Sequence, residues 1–228
     1  LSKIISEISP DIIINSIGVL VNDSEINPIN AILLNSCFPL KLKEIADRLK
    51  SKVIHISTDC VYDGIDGSYN EKSKKSPVDI YGKTKDLGEI ISDHHLTIRT
   101  SIIGPEIKNN GTGLFLWLTK NKNLKVEGYD KSIWSGLTTL ELSNAIVYCI
   151  KSNLLGILNI GSMPISKYNL LEIINKEFNL NIEIKKVDGL VSDKTLISLR
   201  KDFLFKLKSH EDMIKDLRLY IESSKFKY

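Results

Sequence analysis

Val53-Ile54-His55-Ile56-Ser57-Thr58-Asp59 is an apolar run without regular polar alternation that ends on two hydroxyls and a carboxylate. A strand wetted on one face alternates, whereas one covered on both faces does not, so the run predicts a strand inside a parallel sheet. Asp11-Ile12-Ile13-Ile14-Asn15 repeats the pattern upstream, after Pro10, and Leu96-Thr97-Ile98-Arg99 repeats it more weakly downstream. Between the first two runs a helix is expected from Pro28 to Leu49, with apolar Ile32, Leu33, Leu42, Ile45, Ala46 and Leu49. Strand, helix, strand, helix, strand predicts an α/β fold built on a doubly wound parallel sheet. Such sheets bind ligands beyond the carboxyl ends of their strands, which is where Asn15-Ser16 and Ser57-Thr58-Asp59 fall.

Tyr81-Gly82-Lys83-Thr84-Lys85 follows, after a turn-rich stretch with Asp63-Gly64 and Asp66-Gly67 and the helix entry at Ser76-Pro77. A helix over residues 81 to 93 places Tyr81 and Lys85 on one face, a turn apart. A free phenol titrates near pKa ~10, and a neighbouring ammonium that lowered it by about three units would supply roughly 4 kcal/mol of differential interaction. On this reading Tyr81 is an acid tuned by Lys85, and Thr58 adds a neutral hydroxyl for a substrate carbonyl. A Tyr-x-x-x-Lys pair by itself is usually an ordinary helix-surface pair, so the surrounding motifs must carry the assignment.

With 228 residues, 42% hydrophobic and 26% charged, the chain is expected to be soluble and globular, with a sizeable core and room for a smaller lobe. The net charge of +3 is spread without a basic stripe, which argues against nucleic acid. Lys72, Lys74 and Lys75 read as a solvated face. Cys37, Cys60 and Cys149 are too scattered for a disulfide framework or a metal site, and no apolar run is long enough to span a membrane, so a cytoplasmic protein is expected. Lys108 to Gly113 reads as a polar loop. Further helices are expected from Gly113 to Lys122, from the capping box at Thr138 to Lys151, from Ser166 to Phe178 and from Ser209 onward, with strands near Lys125–Glu127, Gly156–Ile160 and Asn181–Val187.

Ile56-Ser57-Thr58-Asp59-Cys60-Val61-Tyr62-Asp63-Gly64, then Tyr69-Asn70-Glu71, then Tyr81-Gly82-Lys83-Thr84-Lys85-Asp86-Leu87-Gly88-Glu89 together resemble the extended short-chain dehydrogenase/reductases, nearest the dTDP-4-dehydrorhamnose reductase branch. Pro10 to Asn15, Arg99 to Gly104 and Gly156 to Gly161 extend the resemblance over nearly the whole chain. It implies a Rossmann-like sheet, N-terminally incomplete, with a small mixed α/β C-terminal substrate lobe. Residues 1–104, with 137–161 returning to them, would form the dinucleotide-binding part; 105–136 and 162–228 would form the sugar-nucleotide lobe. It also implies NADPH or NADH as cofactor, a nucleotide-activated 6-deoxysugar as substrate, a 4-keto group as the site of reduction, a role in surface polysaccharide synthesis, and a homodimer among the possible assemblies.

Carried over residue by residue, Thr58, Tyr81 and Lys85 would be catalytic. Asn15, Ser16, Ile17, Thr100 and Ser101, with Tyr81 and Lys85, would line the cofactor. Thr58, Asp59, Cys60, Ile102 and Trp134 would meet the sugar, Trp134 being exposed in pattern and equally readable as packing; Asn35 resembles a structural asparagine of the family. The sequence departs from the family at Cys60, at Ile102 and over Lys131 to Gly136, all touching the sugar pocket, and it has no Gly-x-x-Gly-x-x-Gly turn before Asn15. The chain opens at Leu1 inside an expected helix, without a methionine, so an upstream segment is expected. A non-catalytic binding subunit of the same fold, or an epimerase or dehydratase, are the other readings.

Overall fold

The computed structural model describes residues 1–106 and 111–224; residues 108–110 of the expected polar loop lie outside them. Helix α1 (Ser2–Ile8) leads into β1 (Ile12–Asn15), followed by α2 (Val21–Ile26), α3 (Pro28–Ala31), α4 (Phe38–Leu49), β2 (Lys52–Ile56), α5 (Ile80–Leu87) and β3 (Leu96–Arg99). Next come β4 (Ile102–Ile103), α6 (Leu114–Lys120), β5 (Lys125–Tyr129), β6 (Ser132–Trp134), β7 (Leu137–Thr138), α7 (Thr139–Lys151) and β8 (Gly156–Asn159). The chain then runs through β9 (Ile165–Ser166), α8 (Lys167–Glu177), β10 (Glu183–Val187), β11 (Ser192–Asp193) and α9 (His210–Ser223).

The central sheet has four strands in the order β1-β2-β3-β8, all parallel, as the continuous apolar runs predicted. Both faces are covered at β2 and β3, where side chains alternate between them, whereas on the edge strand β1 Ile14 is 48% exposed, unlike the doubly covered strand expected there. Ile54, Leu96, Ile98 and Leu158 pack toward Leu142, Ala145 and Cys149 of α7, whereas Val53 packs toward Leu42, Ile45 and Ala46 of α4. A second core joins Phe115 and Leu118 of α6, Leu170 and Ile174 of α8, and Ile214 and Leu217 of α9. Helix α9 also sends Met213 into the core beneath the sheet, so one helix fastens both cores. Thr138 caps its helix as expected, accepting from the Glu141 amide, but the Glu141 carboxylate accepts from Asn144 and the Lys208 amide, so the box is not closed; Ser166 accepts from the Asn169 amide and Ser209 from the Asp212 amide.

Two helices differ from their expected form, and each difference has a local cause. The helix expected as one rod from Pro28 to Leu49 contains a π turn over Ile32–Cys37. Pro39 has no N–H to offer the carbonyl four residues back, and its ring crowds that carbonyl, which belongs to Asn35; widening the turn relieves both. The helix expected to reach residue 93 stops at Leu87 with Gly88 as its cap. There the two deviations meet, because a Cβ on Gly88 would lie 1.9 Å from the Asn35 carbonyl oxygen. The π turn and the glycine are thus two halves of one close approach between α5 and the helix before it.

Gly88→Ala should destabilise the fold by roughly 1–3 kcal/mol, because the clash is with backbone that cannot swing aside. Urea unfolding should show a lower midpoint with an unchanged slope, and an unchanged midpoint would contradict this packing.

Candidate functional site

The residues singled out from sequence converge at the carboxyl ends of β1, β2 and β3. A cavity of about 440 Å³ there is lined by Thr58, Asp59, Cys60, Tyr81 and Lys85, by Ser16 and Ile17 after β1, by Thr100, Ser101 and Ile102 after β3, and by Trp134. Asn15 is the exception among the candidates: it is buried behind the wall, where its Nδ2 lies 3.1 Å from His55 Nδ1 and its Oδ1 accepts from the Ile17 amide at 3.2 Å. Asn15 therefore shapes the loop that lines the cavity without lining it. Asn35 holds the same loop from the other side, accepting from the Val19 amide at 2.8 Å and donating to the Val19 carbonyl and to Thr84 Oγ1. The structural reading of Asn35 holds.

Tyr81 reaches Thr58 because α5 comes unusually close to the turn after β2. A Cβ on Gly82 would lie 2.2 Å from the Cys60 carbonyl oxygen, so only glycine allows the approach. Asp79 caps the helix, its side chain accepting from the Gly82 amide at 2.6 Å. Thr58 caps the short 3₁₀ turn over Asp59–Val61, accepting from the Cys60 amide at 3.2 Å and donating to Asp59 Oδ1 at 3.1 Å.

The electrostatics correct one expectation. Lys85 does not depress the Tyr81 phenol: its ammonium donates to the Ile56 carbonyl at 2.6 Å. Burial, with Cys60, Asp59 and Asp79 nearby, pushes the Tyr81 phenol above its ordinary range, and a hydrogen bond with Thr58 opposes that rise. Lys85 itself is lowered to about 8, because burial disfavours its charge while Glu89 partly restores it. Burial pushes Cys60 up to about 12, so its thiol is a neutral wall of the pocket, and burial likewise raises the Asp59 carboxyl. Trp134 is also corrected: it is buried, not exposed, and its Nε1 donates to Ser101 Oγ at 3.0 Å. Ile102 is 51% exposed and forms an open apolar lip.

Several residues that matter here were missed from sequence. Glu89 accepts two hydrogen bonds from Arg99 at 2.8 Å, one from Ser57 Oγ at 2.8 Å and one from Lys75 at 3.1 Å. Lys75, read as part of a solvated face, is instead half-buried between Glu89 and Asp86. A charged residue inside a buried strand, Arg99, was the available signal. Lys167, at the first turn of α8, also lines the cavity. Buried His55 is held near 3 by desolvation and by Lys85, hence neutral, with its Nε2 unpaired.

Comparison with known proteins places this arrangement. The model of the RmlD substrate binding domain family matches residues 1–180. The dTDP-4-dehydrorhamnose reductase of Aggregatibacter actinomycetemcomitans is 34% identical over 128 residues, which is 54% of this chain and 44% of that protein; that of Salmonella typhimurium is 32% identical over 127 residues, 53% and 42%. The matched stretch thus spans less than half the length of these curated relatives. A hypothetical dTDP-4-dehydrorhamnose reductase from Sulfolobus tokodaii superposes with a TM-score of 0.76 at 29% identity, over 86% of this chain and 74% of that one. The Bacillus anthracis dTDP-4-dehydrorhamnose reductase, solved in complex with NADP, superposes at 0.83 and 21% identity, over 97% and 84%, and so shares the fold. With a Rossmann-like sheet and a family model covering most of its length, this chain belongs to the RmlD substrate binding domain family.

Proposed function

We propose that the protein reduces the 4-keto group of a nucleotide-activated 6-deoxysugar with NADPH or NADH, in the cytoplasm, for surface polysaccharide synthesis. The observation that carries this reading is the meeting of Tyr81, Thr58 and Lys85 on one cavity wall at the strand ends. The relatives' names supply the substrate class. Residues 105–136 and 162–228 would form the sugar-nucleotide lobe, and the parallel sheet the dinucleotide part.

The residues present fit the nicotinamide-ribose half of the cofactor. Lys85 spends one of its three protons on the Ile56 carbonyl, which leaves two for ribose hydroxyls. The exposed loop of Ser16, Ile17 and Gly18 on the cavity wall would hold the cofactor on its other side. A bound dihydronicotinamide supplies the hydride.

The chain's own groups do the rest. Thr58 presents its hydroxyl to the ketone oxygen, and Tyr81 gives that oxygen its phenolic proton as negative charge develops there. The raised phenol suits this order of events, since Tyr81 stays protonated through the neutral range and still yields to an alkoxide, which is the stronger base. Thr58 has one proton to give: it turns from Asp59 to the ketone oxygen for the reduction, and once that oxygen is an alcohol it turns to the phenolate left behind.

A second reading has one observation in its favour. The Asp59 carboxyl, raised by burial and next to Thr58, is the kind of acid that an elimination would use. The reductase reading needs no role for it beyond bonding Thr58.

Reduction of candidate nucleotide 4-ketosugars, followed at the nicotinamide absorbance, tests the assignment. Tyr81→Phe should lower kcat by about 10²–10⁴-fold with a smaller change in KM, and unchanged turnover would sink the proton-donor role. Because Lys85 works charged and titrates near 8, kcat/KM should fall as the pH rises through 8. Lys85→Arg should carry residual activity to higher pH; a flat wild-type profile to pH ~10, the ordinary lysine range, would contradict the role given to its charge.

A further inference from the structure

Glu89 and Asp59 are both buried carboxyls near the strand ends, and their partners differ. Glu89 receives two hydrogen bonds from the Arg99 guanidinium and one from Lys75. Asp59, 8% exposed, makes no ion pair with another described residue. Neutral groups hold it instead: Thr58 Oγ1 donates to its Oδ1 at 3.1 Å, and Ser101, which receives the Trp134 Nε1–H at 3.0 Å, supports it from the turn after β3. A buried carboxyl without a countercharge favours its neutral form, whereas a paired one stays ionised. Asp59 is therefore the carboxyl on the cavity wall whose charge can change.

That change would be felt at Thr58, whose hydroxyl has one proton and two lone pairs. One lone pair takes the Cys60 amide proton at 3.2 Å, and the hydroxyl's own proton goes to Asp59. With Asp59 ionised, this bond is charge-assisted and competes with a neutral ketone for the same proton. With Asp59 protonated, the direction reverses: the carboxyl O–H fills the second lone pair and leaves the Thr58 proton for whatever enters the cavity. The groups around Asp59 come from several elements. Cys60 beside it and Tyr81 on α5 are both held neutral, and Asp79 at the start of α5 raises the two of them. Lys194, after β11, is the cation that acts on Asp59. Its stem lies along Gly64, where a Cβ would fall 2.9 Å from Lys194 Cγ, and the Gly64 carbonyl accepts from the Asp193 amide at 2.7 Å. The Lys194 ammonium makes no hydrogen bond or ion pair with another described residue, so its charge reaches Asp59 through space.

We propose that Asp59 is a positioning residue that holds the Thr58 proton when ionised and releases it to the substrate ketone when protonated, with Lys194 setting the pH of the change. The ketone in this statement rests on the reductase reading given above. Burial raises the Asp59 carboxyl above its ordinary range, against the opposing pull of Lys194 and of the hydrogen bonds from Thr58, Cys60 and Ser101. The stronger donation by Thr58 belongs to the protonated form, hence to the acid side of the Asp59 titration. As the pH rises through that titration, kcat/KM should step down to a lower plateau. This step is separate from the fall through 8 that follows from the charge of Lys85. Removing Lys194 removes a cation that favours the carboxylate, so the protonated form, and with it the higher plateau, should persist to higher pH.

Infrared spectroscopy of the protein without nicotinamide or sugar reads the Asp59 proton separately from the reaction. A protonated-carboxyl stretch that titrates with pH and is missing in Asp59→Asn should identify the group. Thr58→Val should move its midpoint up by about one unit, because the carboxylate loses a donor, and Lys194→Met should move it the same way, because a cation is lost. With a nucleotide 4-ketosugar and nicotinamide cofactor, kcat/KM should fall about five- to tenfold through the same midpoint, since kcat/KM reports ionisations of the free protein. The step should move up in Lys194→Met and vanish in Asp59→Asn. A merely structural Asp59 would lower the rate in Asp59→Asn and leave the step in place, which overturns the proposal. So does a protein with no carboxyl band that depends on Asp59, or a midpoint that neither Thr58→Val nor Lys194→Met moves. Midpoints that shift as expected in a protein that reduces no 4-ketosugar leave the coupling of Lys194, Asp59 and Thr58 standing, and the reductase reading falls instead.

Discussion

The Glu89 carboxylate receives Arg99 from two nitrogens, with both charges almost wholly out of water. Removing one partner of such a buried pair strands the other and costs about 3–5 kcal/mol, so the two act as a unit. Through that unit three elements are fastened. Arg99 ends β3, Glu89 follows the cap of α5, and Ser57, which donates to Glu89, follows β2 immediately before Thr58. Arg99 also donates to the Tyr62 hydroxyl, which donates onward to the Asn70 carbonyl, tying in the loop after the 3₁₀ turn. A polar network therefore lies behind Ser57, which lines the cavity. Its members are satisfied, which lets so much charge lie buried.

Tyr81 and Thr58 depend on this frame but are brought together by absences of side chain. Gly82 admits the Cys60 carbonyl, and Gly88 admits the Asn35 carbonyl that Pro39 has pushed out of its helix. Fixing α5 by two backbone approaches makes it a rigid carrier, which the proton-donor role proposed for Tyr81 requires. The lysine one turn along serves a different end. Bonded to the Ile56 carbonyl, it fixes the helix to the strand, and in the proposed reading its remaining protons serve a ribose instead of tuning the phenol.

Much of this was legible in the chain. The apolar runs ending at Asn15, Ser57 and Arg99 give a parallel sheet, and its carboxyl end gathers the candidate residues with the exception of Asn15. What stayed hidden depended on partners distant in sequence. Trp134 has an exposed pattern locally, yet α8 and α9 arrive to bury it. Lys75 sits in a run of lysines, and only the fold shows its carboxylates. The π turn follows from Pro39 acting on a helix that the apolar periodicity alone predicts as regular. The surroundings of the Tyr81 phenol differ from the expectation because a spacing of four places Lys85 on the right face without saying which acceptor its ammonium takes.

The central claim is that these groups complete a reduction, not an elimination, an epimerisation or mere binding. Incubating the protein with a nucleotide 4-ketosugar and a nicotinamide cofactor deuterated at its transferring carbon, then reading the sugar by mass spectrometry and NMR, addresses it most directly. The account predicts a single deuterium on the former ketone carbon and an equivalent of oxidised cofactor. An epimerised or dehydrated sugar without net label, or an unaltered sugar from a protein that binds both ligands, would contradict it.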